Sequence, residues 1–150
     1  MKSTIIKVGI VAGLMDITGA SIQYLLSGGK NPVRILLYIA SALIGPDAYT
    51  GGAPIAILGF LLHMFNAMAF TVFFFMIYPA VRKVTTNRLA LSIGYGACVW
   101  FVMNVIVVPL SRIPARALTL QESLIAMGIL IICIGTPITL GATRYYAGKQ

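Results

Sequence analysis

The chain has 150 residues, of which 59% are hydrophobic and only 9% are charged, and its mean hydropathy is +0.97. A soluble domain carries about 25% charged residues, so this composition excludes an ordinary soluble protein and predicts a surface that faces lipid. The net charge of +8 does not indicate nucleic-acid binding, because the basic residues are spread over span ends and loops and form no single stripe.

Four segments have the length and the apolar character of membrane-spanning helices: residues 5–26, 53–78, 89–110 and 123–143. About 20 mainly apolar residues suffice to cross the hydrocarbon core of a bilayer. The loops between them are too short to fold alone. The sequence therefore predicts one all-α domain, an integral membrane four-helix bundle.

The first segment, residues 5–26, is the least apolar of the four, because a lysine, a glutamine and Asp16 interrupt it. A removed signal peptide is the alternative interpretation, but the acid in mid-segment and the lack of a small-x-small cleavage site argue against it. Gly9 and Gly13 form a small-xxx-small pair, which predicts that the first helix packs closely against a neighbour near Asp16.

A short helix is predicted for residues 33–44, in the first external loop. Asn31 is a suitable N-cap, Pro32 suits the first helical position, and Gly45 would end the helix. Twelve residues are too few to span a bilayer. We expect this interfacial helix to lie on the outer surface or to dip into the bundle, either as an anchor or as a lid over a site between the helices.

The distribution of basic residues predicts the orientation of the chain. Seven of the 11 Lys and Arg residues fall on the side of the N-terminus, the second loop and the C-terminus, which predicts that both termini are cytoplasmic. The other four are Lys30, Arg34, Arg112 and Arg116. The three arginines are candidate contacts for an anionic lipid or for a partner membrane protein.

Polar side chains occur at similar depth in all four spans: Asp16, His63, Asn66, Asn104 and Thr136. A helix rises 1.5 Å per residue and adjacent spans run in opposite directions, so all five are expected in the middle half of the bilayer. His63 and Asn66 are three positions apart and share a helix face. The sequence thus allows one shared intramembrane polar site.

Asp16 is the principal functional candidate. A carboxylate in mid-membrane costs roughly 2.5 to 3.5 kcal/mol on insertion scales, whereas hydrogen bonds between membrane helices average only about 0.6 kcal/mol. A neutral Asn would clamp two helices at lower cost, so we expect Asp16 to be a protonatable site with His63 as its partner. The alternatives are a purely structural clamp, and an acid and base pair in a membrane-embedded enzyme.

Pro137, in the fourth span, is a candidate hinge. It removes one backbone donor and so frees the carbonyl of Cys133, which predicts a kink or an unpaired acceptor inside the helix.

The sequence contains no nucleophile elbow, no HExxH pair and no phosphate-binding loop, and it predicts neither a cofactor nor a metal site. The leading functional hypothesis is a channel or transporter for a proton, a small ion or a small solute. Four short helices fill their own core, which favours a homo-oligomer with a path between protomers. The alternative is an accessory protein that binds a lipid or a subunit.

Four stretches carry a resemblance to a bacterial family: AGLMD (12–16), NPVRILLYIASALIG (31–45), GGAPIAILGFLLHMFNA (51–67) and VWFVMNVIVVPLS (99–111). The chain resembles the short four-span inner-membrane proteins of unknown function that are grouped as YagU-like. The resemblance implies a bacterial inner membrane and, for some relatives, an association with acid tolerance. It implies no catalytic residues.

Overall fold

The computed structural model describes residues 2–114 and 119–148. Five helices occur in this part of the chain: α1 (Lys2–Leu26), α2 (Val33–Ile44), α3 (Gly52–Val84), α4 (Arg88–Leu110) and α5 (Leu120–Ala147). The described residues form no β-strand. All except α2 are long and apolar enough to cross a membrane. The predicted all-α fold with four spans is confirmed, and the chain is a multi-pass membrane protein.

Side-chain caps fix the first residues of α4 and α5. Asn87 Oδ1 accepts hydrogen bonds from the backbone N–H groups of Leu89 and Ala90, at 3.0 and 3.3 Å. Before α5, Thr119 and Glu122 form a reciprocal capping box, in which each side chain accepts from the other residue's backbone N–H. Helix α5 therefore begins three residues before the predicted span.

Helix α3 is longer than predicted, because it ends at Val84 and not at residue 78. Its 33 residues make it about 50 Å long, more than the roughly 30 Å of a bilayer core, so it must tilt or extend into the headgroups. Pro79 lies inside α3 and cannot donate to the carbonyl of Phe75. Tyr146 supplies the missing donor, since its hydroxyl donates to Phe75 O at 2.9 Å.

Small residues bring α1 against α3 in antiparallel fashion. Gly9 and Gly13 are buried, and a Cβ atom at these positions would lie only 2.8 Å from Met68 Sδ and 2.9 Å from Met64 Sδ. The close approach predicted for this glycine pair is therefore present. It brings the next turn of α1, which carries Asp16, against α3.

A second close contact joins α4 and α5, which are also antiparallel. A Cβ at Gly96 would overlap the backbone of Ile131, and a Cβ at Gly135 would overlap the carbonyl oxygen of Ser92. The two backbones touch here with no side chain between them. Small residues that permit such contact are the usual means of packing membrane helices.

Aromatic side chains fill the end of the bundle that carries both chain termini, here called the terminal end. Phe74 and Tyr95 pack with ring centroids 4.4 Å apart, and Tyr78 stacks on Tyr146 at 5.2 Å. The Tyr95 hydroxyl donates to the carbonyl of Phe70. These rings hold α3 to α4 and α5 where the backbones themselves are further apart.

We expect Tyr78→Phe to lower stability only slightly. The Tyr78 hydroxyl donates to Thr143 Oγ1 at 2.9 Å, and such bonds between membrane helices average about 0.6 kcal/mol. Unfolding in detergent by titration with SDS would measure the difference. A loss of several kcal/mol would show that the hydroxyl belongs to a larger network than this pair.

Helix α2 packs one face on α3 at the opposite end, here called the α2 end. Its buried residues are Leu37, Ala40 and Ser41. Asn31 Oδ1 accepts from Val33 N–H at 3.0 Å, and the helix ends at Gly45, whose φ of 82° suits glycine. The predicted boundaries, 33–44, are those observed.

Candidate functional site

Asp16 and His63 meet between α1 and α3. The distance from His63 Nε2 to Asp16 Oδ2 is 3.8 Å, and the two side chains are only 12% and 17% exposed, His63 first. The pair follows directly from the packing of Gly9 and Gly13 on α3, because Asp16 lies on the next turn of α1. An acid and a base thus face each other inside the membrane-spanning part of the bundle.

The carbonyl oxygen of Gly13 fixes one proton of the imidazole. His63 Nε2 lies 2.9 Å from Gly13 O. A carbonyl can only accept, so Nε2 carries a hydrogen and donates it. Nδ1 is then the nitrogen that carries the lone pair of the neutral imidazole.

Helix α5 closes the third side of the site through Cys133. A Cβ at Gly19, one turn beyond Asp16, would lie 3.3 Å from Cys133 Sγ. Asp16 therefore lies where α1, α3 and α5 come together. The sequence gives no signal for this proximity, which depends on the crossing of α1 and α5.

The other polar candidates do not bond to this pair. Asn104 Nδ2 donates to Trp100 O at 2.9 Å, and Thr136 Oγ1 donates to Ile131 O at 3.0 Å, each within its own helix. Asn66 is half-buried and has no hydrogen bond to another described residue. Of the five predicted residues, the structure joins Asp16 and His63 to each other.

A π-helical turn precedes Pro137 in α5, and a similar turn occurs in α4. Residues Ile131–Gly135 form a π-helical turn in which the Thr136 N–H donates to Ile131 O. The carbonyl of Ile132 would otherwise bond residue 136 or residue 137, but the first donor is taken and the second is a proline. Ile132 O therefore loses both of its helical donors, whereas the release of Cys133 O stays a prediction.

Helix α4 repeats this arrangement before Pro109. Its π-helical turn covers Val102–Val107, and the Val108 N–H donates to Met103 O. The carbonyl of Asn104 consequently has neither of its possible helical donors. The indole Nε1 of Trp100 is buried nearby along the helix and has no partner among the described residues. This second π-helical turn was not predicted, although Pro109 is a signal for it in the sequence.

The candidate lipid-binding arginines lie at the α2 end. The Arg34 guanidinium lies 5.9 Å above the ring of Tyr49, a cation–π arrangement. The Arg112 N–H donates to Ala42 O at 3.1 Å and so joins the loop after α4 to α2. Both side chains are exposed. Arg116 lies outside the described residues.

A scan of protein-family models, a search of curated proteins and a search of solved structures each found no match to this chain. The YagU-like resemblance stays a prediction. Among the described residues, no group of three or more His, Cys, Asp and Glu side chains is placed to hold a metal ion. The chemistry of the site is that of an acid, an imidazole and a thiol.

Proposed function

We propose that this membrane protein passes protons, and that Asp16 and His63 are the pair that exchanges them. The proposal is carried by one observation, the 3.8 Å approach of a carboxyl and an imidazole between two spans. A lone carboxylate at this depth is expensive. The pair has two net-neutral forms, a carboxylic acid with a neutral imidazole and a carboxylate with an imidazolium. When Asp16 releases its proton and Nδ1 of His63 takes one up, the pair passes from the first form to the second without leaving a net charge in the bilayer.

A proton fits the site better than a metal cation does. A bound Ca²⁺ or Mg²⁺ needs about six to eight oxygen ligands, and the described residues offer no cluster of acidic side chains. A proton needs only one donor and one acceptor. The Nε2–H bond to Gly13 O holds the imidazole in place and leaves Nδ1 as the acceptor.

The setting of this exchange is proposed as a homo-oligomer in a bacterial inner membrane, with both termini in the cytoplasm. The seven-to-four distribution of Lys and Arg supports the orientation. The packed core of the single chain supports the oligomer, because Ala12, Ile138 and Ala142 have no exposed surface.

Proteoliposomes that carry a pH step test the proposal. We expect wild-type protein to admit protons faster than protein-free vesicles do, and His63→Gln to lower that rate by about tenfold or more, because the amide can occupy the site but cannot titrate. Asp47→Asn is the matched control, since Asp47 is exposed in the turn after α2. A folded, inserted wild-type protein without proton flux would overturn the proposal. The alternative, an anionic lipid or subunit held by Arg34 and Arg112, would then be favoured.

A further inference from the structure

The segment between α1 and α3 carries the backbone features of a movable element. All three residues with positive φ in the described part of the chain lie in or beside it: Gly28 at 88°, Gly45 at 82° and Gly52 at 63°. They bracket α2 and the 3₁₀ turn Pro46–Thr50. Glycine permits such dihedrals at no steric cost, so the segment has conformational freedom at each of its junctions.

The backbone of α2 touches the backbone of α3 at Gly59, and this contact is here called the Gly59 seat. A Cβ at this position would overlap the Leu36 carbonyl oxygen and would lie 2.7 Å from its carbonyl carbon. The two backbones are therefore in direct contact, and any side chain larger than hydrogen at Gly59 would push α2 away. The contact is van der Waals packing, which is lost as soon as the surfaces separate.

The seat lies on the same face of α3 as the functional pair. Gly59 and His63 are four positions apart, one above the other on the helix. His63 contacts α1 at Gly13, while Gly59 contacts α2. Helix α2 thus occupies that face one turn beyond the Asp16–His63 pair, on the side of the α2 end.

A backbone hydrogen bond from the loop after α4, here called the latch, holds the last turn of α2. The Arg112 N–H donates to Ala42 O at 3.1 Å, in the last turn of α2. The latch comes from the loop that follows the π-helical turn and Pro109 of α4. The position of α2 is therefore coupled to α4.

We propose that α2 is a gate over the Asp16–His63 pair: seated on Gly59 it closes the pair from the α2 end, and released from Gly59 it opens the pair to water. This inference deepens the proposed function and rests on it. Opening requires loss of the α2–α3 packing at Gly59 and at the buried Leu37, Ala40 and Ser41. It also requires loss of the Arg112–Ala42 hydrogen bond and rotation at the glycines that bracket α2.

Chemical accessibility of position 63 tests the gate without relying on proton flux. His63→Cys is introduced into a Cys98→Ala/Cys133→Ala background, so that position 63 carries the one thiol. A membrane-impermeant cationic thiol reagent is added on the side of the membrane that faces the α2 end, and the rate of modification is measured. We expect Gly59→Ala to raise the modification rate by about tenfold, because its Cβ displaces α2. The matched control is Gly94→Ala, since a Cβ at Gly94 meets nothing within 4 Å.

A second variant opens the latch and leaves the Gly59 seat intact. Arg112→Pro removes the N–H that donates to Ala42 O, and Ser111 already has the extended backbone that proline requires before it. We expect the modification rate to rise severalfold, and Arg112→Ala, which keeps the N–H, to leave it unchanged. Rates that stay at the parent value in both Gly59→Ala and Arg112→Pro would overturn the gate. Faster modification in these variants, together with no proton flux in the wild-type protein that keeps His63, would retain the gate and remove the proposed function.

Discussion

Asp16→Asn is expected to reduce pH-driven proton flux into proteoliposomes by about a hundredfold or more. The amide keeps the size and the hydrogen-bonding capacity of the carboxyl, but it neither releases nor takes up a proton. His63 alone then has no partner through which its proton can move without leaving net charge in the bilayer. The flux is measured with a pH-sensitive dye enclosed in the vesicles.

Asp16→Asn should also leave the fold intact. Asp16→Asn removes an ionisable group whose insertion costs about 2.5 to 3.5 kcal/mol, so the variant should fold at least as well as the wild type. Asp16→Glu is the matched variant that retains an acid, and we expect it to keep part of the flux, because the longer side chain misplaces the carboxyl relative to the imidazole. Full flux in Asp16→Asn would assign the pair a clamping role.

The clamp and the proton site predict opposite signs for stability. If the approach of Asp16 to His63 served mainly to hold α1 on α3, removing the charge would loosen the bundle. The structure already supplies that function elsewhere, because Gly9 and Gly13 press α1 onto Met68 and Met64. An ionisable pair beside a contact that is complete without it favours a chemical role over a structural one.

The sequence predicted the spans because each is a long apolar run, and the length of such a run is set by the bilayer. It also indicated Asp16 and His63 as candidate site residues, because ionisable groups are rare within apolar runs. It could not predict that Asn104 and Thr136 satisfy their amide and hydroxyl within their own helices. Asn104 donates to the carbonyl four residues before it, and Thr136 donates to the carbonyl five residues before it, at the end of a π-helical turn.

The ends of the helices show the same limit. The apolar run of α3 stops near residue 78, yet the helix continues to Val84. The extension depends on Tyr146, which donates to the carbonyl that Pro79 leaves free. A contact between residues 71 positions apart leaves no signal in the local pattern. By contrast, the start of α5 has a local signal, since Thr119 and Glu122 have the spacing of a capping box, although the predicted span began only at residue 123.

Substitutions in α4 should reveal a second large effect, on the stability of the α4–α5 contact. Two glycines of α4 are compared, one inside the contact and one outside it. Gly96→Ala should destabilise the bundle by roughly 1 to 3 kcal/mol, because its Cβ would overlap the backbone of Ile131. Gly94→Ala should stabilise it by up to about 1 kcal/mol, because alanine is the better helix former and a Cβ there meets nothing within 4 Å. Titration with SDS, followed by circular dichroism, gives both values. A shift of the same sign in both variants would contradict the close contact.

Combining two substitutions at the crossing tests whether the contact is a single surface. Gly135→Ala is expected to destabilise as Gly96→Ala does, because its Cβ would overlap Ser92 O and would lie 3.2 Å from Gly96 N. The double variant should lose less stability than the sum of the two single losses, since helices separated by the first methyl group already leave room for the second. Additive losses would mean that the contact of Gly96 with α5 and the contact of Gly135 with α4 are independent of each other. Sub-additive losses would show that one crossing point positions α5, and with it Cys133, beside Asp16.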